Sequence, residues 1–88
     1  MEFVAEVKVW LRQGIADPEG LTIAEAISSL GHQGIRSVNS GKVFRLVLEA
    51  DNIEVAEEKV AELAQTLLSN PVLEDHQTTI HPANRVDR

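Results

Sequence analysis

The chain contains no cysteine. Disulfides, thiolate nucleophiles and cysteine-based metal sites are therefore excluded, and the composition suits a reducing compartment. Basic residues are also scarce: eight Lys and Arg stand against fourteen Asp and Glu, a net charge of −6. Binding a phosphate backbone needs clustered cations, so nucleic acid is not an expected partner. No long apolar run is present, and Met1 leads into Glu2-Phe3-Val4-Ala5-Glu6 rather than a basic segment. Neither a signal peptide nor a membrane span is expected, and a cytoplasmic location follows.

Catalytic constellations are equally sparse. The three histidines are His32, His76 and His81. His76 and His81 lie an odd number of positions apart, so on one strand they face opposite ways and share no metal. No nucleophile elbow frames a serine, and no P-loop or dinucleotide fingerprint occurs. The carboxylates crowd a helix surface where nothing raises a pKa for acid catalysis. No catalytic, cofactor or metal site is assigned. Gln13-Gly14-Ile15 has a faint likeness to the anion loop of acylphosphatases, but Ala16-Asp17-Pro18-Glu19 follows where those enzymes need an arginine.

What is present is a regular alternation of elements. At 88 residues the chain is one small domain, here 1–81 with a loose tail at 82–88, and its core is marginal for its surface. Glu2–Arg12 alternates as a strand, with Phe3, Ala5, Val7, Val9 and Leu11 toward helices and Val4, Glu6, Lys8, Trp10 and Arg12 on the other face. Arg12 to Gly20 is a Gly- and Pro-bearing loop in which Asp17-Pro18 marks a turn. Thr22 with Glu25 suggests a capping box. Ile23, Ala26, Ile27 and Leu30 then form an apolar helix stripe, and Gly31 sits where an αL terminator belongs. Ile35–Val38 and Val43–Ala50 flank Asn39-Ser40-Gly41-Lys42 and read as a hairpin, with Gly41 at positive φ. Asp51 is the expected cap of a helix over Ile53–Leu68, which buries Ala56, Val60, Leu63, Ala64 and Leu67. Asn70-Pro71 ends that helix, and Leu73–Ile80 is a polar edge strand.

The order strand-helix-strand, twice, predicts an α+β ferredoxin-like split βαβ fold: a four-stranded antiparallel sheet with two helices on one face. The other face is left bare. It carries Val4, Trp10, Val43 and Val47, and aromatic residues on an uncovered face point to an interface. These four, with Lys42 in the turn, are the candidate contact residues.

Gly14, Asp17-Pro18-Glu19-Gly20, Ala26, Leu30-Gly31, Val38, Gly41-Lys42, Leu46, Leu67-Leu68-Ser69-Asn70-Pro71-Val72 and Glu74 together resemble the PurS family, small subunits of phosphoribosylformylglycinamidine synthase. The resemblance spans about residues 3–80. Glu19 stands where glutamine is more usual in the family. Several of these positions, Gly14, Asp17, Pro18, Gly20, Gly31, Gly41, Asn70 and Pro71, are taken as structural. The resemblance implies a non-catalytic subunit that self-associates at least to a dimer. It bridges a large synthetase subunit and a glutaminase subunit. The assembled enzyme uses ATP with Mg to convert formylglycinamide ribonucleotide to the amidine with ammonia from glutamine. Two other readings fit the same fold pattern: a ligand-sensing domain of the ACT type, and an acylphosphatase-like enzyme.

Overall fold

The structure is a computed structural model in which residues 1–84 are described. Strand β1 (Glu2–Leu11) is followed by helix α1 (Pro18–Ser29), strand β2 (Gly41–Glu49), helix α2 (Ile53–Leu63) with a terminal π-helical turn (Ala64–Leu68), and strand β3 (Glu74–Pro82). The sheet has three strands in the order β2-β1-β3, with both neighbours antiparallel to β1. The α+β class holds, but the expected four-stranded sheet does not form. Ile35–Val38 adopts no regular structure, and no hairpin joins it to β2. Four residues between Gly34 and Ser40 are too few to hold a strand without a neighbour, and the fastening of Ser40 described below fixes the backbone instead.

The alternation of β1 is read correctly from the sequence. Phe3, Ala5, Val7 and Val9 are buried beneath α2 and the π turn, in contact with Ala56, Val60 and Ala64. Phe44, Leu46 and Leu48 of β2 and Ile80 of β3 flank this core and stay partly exposed. Helix α2 begins one residue later than expected: Asn52, not Asp51, is the N-cap, its Oδ1 accepting from Val55 N–H at 2.9 Å. Its end widens. Ser69 N–H and Ser69 Oγ–H both donate to Ala64 C=O, at 3.1 and 2.7 Å. This i→i+5 closure inserts one residue into the turn. It carries Leu67 out to 73% exposure, against the expectation that it is buried, and brings Leu68 onto the core.

The larger departure is α1. It starts at Pro18 rather than after Thr22, because Asp17 caps it and proline is preorganised for the first helical position. Gly31 has φ +90° past its end, as a terminator should. Its apolar stripe, however, is not covered by the sheet: Ile23 is 40% and Leu30 77% exposed, and Gly20 is its buried residue. The helix projects beyond the end of the sheet as an arm. The molecule accordingly measures 50 × 32 × 16 Å, with a radius of gyration of 16.6 Å, against about 12 Å for a compact chain of this length.

Strand β3 runs to Pro82, past the expected end at Ile80, and Ala83 N–H donates to Glu2 C=O at 2.9 Å. The first part of the expected tail is thus tied to the sheet; residues 85–88 lie outside the described residues. No helix of the described chain is long and apolar enough to cross a membrane.

Candidate functional site

Two turns carry most of the motif residues, and both are built by hydrogen bonds that explain the residue types. At the root of the arm, Asp17 Oδ1 accepts from Gly20 N–H at 2.9 Å and from Ser40 Oγ–H at 2.7 Å, while Oδ2 accepts from Ser40 N–H at 2.7 Å. One carboxylate thereby caps α1 and fastens the returning chain to it. These bonds, the Ser40 N–H first, hold the Asp17 pKa below its ordinary value. The Gly20 backbone packs against Val38 C=O so closely that a Cβ would overlap it. Gly41 was expected at positive φ, and it is not. Its requirement is space: a Cβ would lie 2.5 Å from Val9 C=O and 3.3 Å from Trp10 Cβ.

At the other turn, Asn70 Oδ1 accepts from Val72 N–H at 3.0 Å, Asn70 C=O accepts from Leu73 and Glu74 N–H at 3.0 and 2.7 Å, and Glu74 Oε1 accepts from Asn70 N–H at 2.7 Å. Asn70, Pro71 and Glu74 are therefore the joint between the π turn and β3. The sequence marks both turns as motifs. Ser40, which completes the first, carries no signal of its own, because its partner lies 23 residues away.

The bare face of the sheet can be read from the register. Val4 pairs with Val47, Glu6 with Arg45, Lys8 with Val43 and Trp10 with Gly41. Trp10, Val43 and Val47 thus share one face, with Val43 at 56% and Val47 at 45% exposure. Val4 shares it too but is already buried at 1%, and adds little surface to a contact. Lys42 alternates to the other face, beside Phe44, so the candidate contact residues do not form one patch. Trp10 is half-buried where three shallow clefts meet. One runs toward Gln13 and Gly14, one along Asp17, Ser40, Lys42 and Glu74, and one across Lys8 and Val43. Arg12 and Asp75 pair at 3.2 Å at its margin, both about half exposed, an arrangement worth little energy.

His76 and His81 lie on opposite faces: His76 Nε2 is 3.2 Å from Gln65 Oε1 of the π turn, and His81 pairs with Val4. Among the described residues no three His, Asp or Glu side chains converge to hold a metal ion.

The family model for PurS, phosphoribosylformylglycinamidine (FGAM) synthase, matches residues 4–82. The chain belongs to the PurS family. This PurS-family chain is 44% identical over 75 residues to phosphoribosylformylglycinamidine synthase subunit PurS of Mycobacterium leprae, covering 85% of this chain and 91% of the relative. A crystal structure of PurS from Methanocaldococcus jannaschii, described as one of the subunits of formylglycinamide ribonucleotide amidotransferase in the purine biosynthetic pathway, superposes with a TM-score of 0.81. It is 30% identical, over 93% of this chain and 99% of that one. A chain in the PurLQS structure from Thermotoga maritima superposes with a TM-score of 0.85 at 30% identity, over 92% of this chain and 99% of that one. Likeness over such shares of both chains takes in the projecting α1 arm as well as the sheet.

Proposed function

We propose that this chain is the small, non-catalytic subunit of phosphoribosylformylglycinamidine synthase, and that it holds the glutaminase and the large synthetase subunits in one assembly. The enzyme makes formylglycinamidine ribonucleotide from formylglycinamide ribonucleotide, ATP and glutamine-derived ammonia in purine biosynthesis, in the cytoplasm. The observation that carries this reading is the family match over residues 4–82. The structure supports it from the other side. The residues that make up the motifs are spent on caps and joints, and what is offered to solvent is contact surface: the sheet face with Trp10, Val43 and Val47, and the uncovered arm. ATP and Mg belong to the assembled enzyme; this chain holds no cofactor of its own. Neither an ACT-type sensor nor an acylphosphatase is favoured, since the first loop presents Asp17 and Glu19, which repel an anion.

Size-exclusion chromatography of the three subunits tests the bridging role. Glutaminase and synthetase should co-elute when this chain is present and separate when it is omitted. Trp10→Glu, which puts a charge on the open sheet face, should lower the yield of the complex while leaving the circular dichroism of the chain intact. Equal co-elution with and without the chain would contradict the proposal.

A further inference from the structure

We infer that the α1 arm is exchanged between two copies of this chain, each helix lying on the other copy's sheet over Phe44, Leu46 and Leu48. The inference goes beyond family membership and stands on the geometry of this chain alone.

The sheet has a vacancy. Helix α2 and its π turn pack over β1 and β3, whereas the extensive packing of β2 among the described residues is with β1. Phe44, Leu46 and Leu48 alternate onto the helix side of β2 and are only partly covered. The arm has the matching deficit. Leu21, Ile23 and Leu30 are 63%, 40% and 77% exposed, and Ile27 is half-buried, on a helix that packs extensively on no other element. A single apolar side chain in water is ordinary; a whole helix stripe next to a half-covered strand is not.

The helix is kept from closing over its own β2. Asp17 binds Gly20 and Ser40 together, and the first turn of α1 lies on the Val38 backbone. Both ends of the arm are thus fastened to each other at the rim of the sheet, where Trp10 pairs with Gly41. From there the helix runs outward, and folding it back would break the three bonds to Asp17. A second copy supplies the missing surface without breaking any. Because donor and acceptor surfaces occur on the same chain, a twofold axis satisfies both at once, and the contact closes at two copies. The charges agree: α1 carries Glu19 and Glu25 and no cation, while Lys42 is the charged residue on the helix side of β2. The area agrees as well. A 12-residue helix covers about 18 by 10 Å. Two exchanged helices, with both surfaces counted and the relief of the side chains added, come to roughly the 1,200 Å² at which stable interfaces begin.

The absence of cysteine gives a clean test. Copies carrying Ile27→Cys and copies carrying Leu46→Cys, one of them ¹⁵N-labelled, are mixed and treated with a short bis-maleimide. The expected product is a mixed, covalent dimer, together with sedimentation of the untreated protein as a dimer at micromolar concentration. Ile27→Glu should shift the sedimenting species to the monomer while the strand signal in circular dichroism persists. In the chain bearing both cysteines, an internally linked monomer as the main product would show that α1 folds back on its own sheet and would overturn the exchange. So would a monomeric wild type, or a wild-type dimer in which the mixed link does not form.

Discussion

Gly20 is the residue whose replacement most directly reports on the arm. Within a helix, Gly→Ala ordinarily stabilises by up to about 1 kcal/mol. At this position the new Cβ would overlap Val38 C=O and lie 2.7 Å from Asp17 Oδ2. The sign should therefore reverse. Gly20→Ala is expected to lose about 1–3 kcal/mol, the usual cost of overpacking a closed contact, measurable by urea unfolding; a stabilised variant would mean that the arm root is open. Asp17 gives a second test, through pH. Its folded-state pKa lies below the unfolded value because Ser40 and Gly20 donate to the carboxylate. Between those two values the unfolded chain binds more protons. The stabilisation is thus complete above the ordinary carboxylate pKa of about 4 and disappears as the pH falls through the lowered one. Asp17→Asn keeps one acceptor oxygen and turns an amide toward Ser40 N–H. It should melt earlier than wild type at neutral pH, and the gap should narrow as the pH drops below about 4. A gap independent of pH would remove the carboxylate from this role.

At the scale of elements, the sequence shows where apolar faces are but not always what meets them. Period-2 alternation in Phe3–Val9 and helical spacing through Ala56, Val60 and Ala64 locate the core correctly, because these elements pack on one another within the chain. The same spacing in Ile23, Ile27 and Leu30 identifies a real amphipathic helix, yet its partner is not the sheet that local order suggests. A stripe in sequence encodes a demand for burial, not the address of the surface that meets it. The short run Ile35–Val38 has strand-forming residues but is held by Asp17 and Gly20 through Ser40 and Val38, contacts between residues about 20 positions apart that no local pattern reveals. The N-terminal signal of α1 was legible: Asp-Pro is a cap followed by a preorganised first residue, and it outranks the Thr22–Glu25 box. Leu67 fails for a different reason. One inserted residue in the π turn breaks the 3.6-residue period on which its burial was predicted. Of the candidate contact residues, Trp10, Val43 and Val47 share a face as strand parity requires, while Val4 is consumed by the fold and Lys42 turns to the opposite side.

At the scale of the whole molecule, an elongated sheet with a projecting arm and an acidic outer helix has more surface than its core justifies. The family accounts for that surface, because the subunit acts by holding larger ones in register. Ammonia released by a glutaminase is lost to solvent unless the synthetase site is close, and fixed proximity raises its effective concentration. A non-catalytic chain can change a rate in this way and leave the chemistry itself untouched. The direct measurement is the turnover of glutaminase plus synthetase, with and without this chain, driven either by glutamine or by saturating free ammonia. The glutamine-driven rate should collapse when the chain is omitted, while the ammonia-driven rate should largely persist. Equal glutamine-driven rates in the two mixtures would contradict the bridging role.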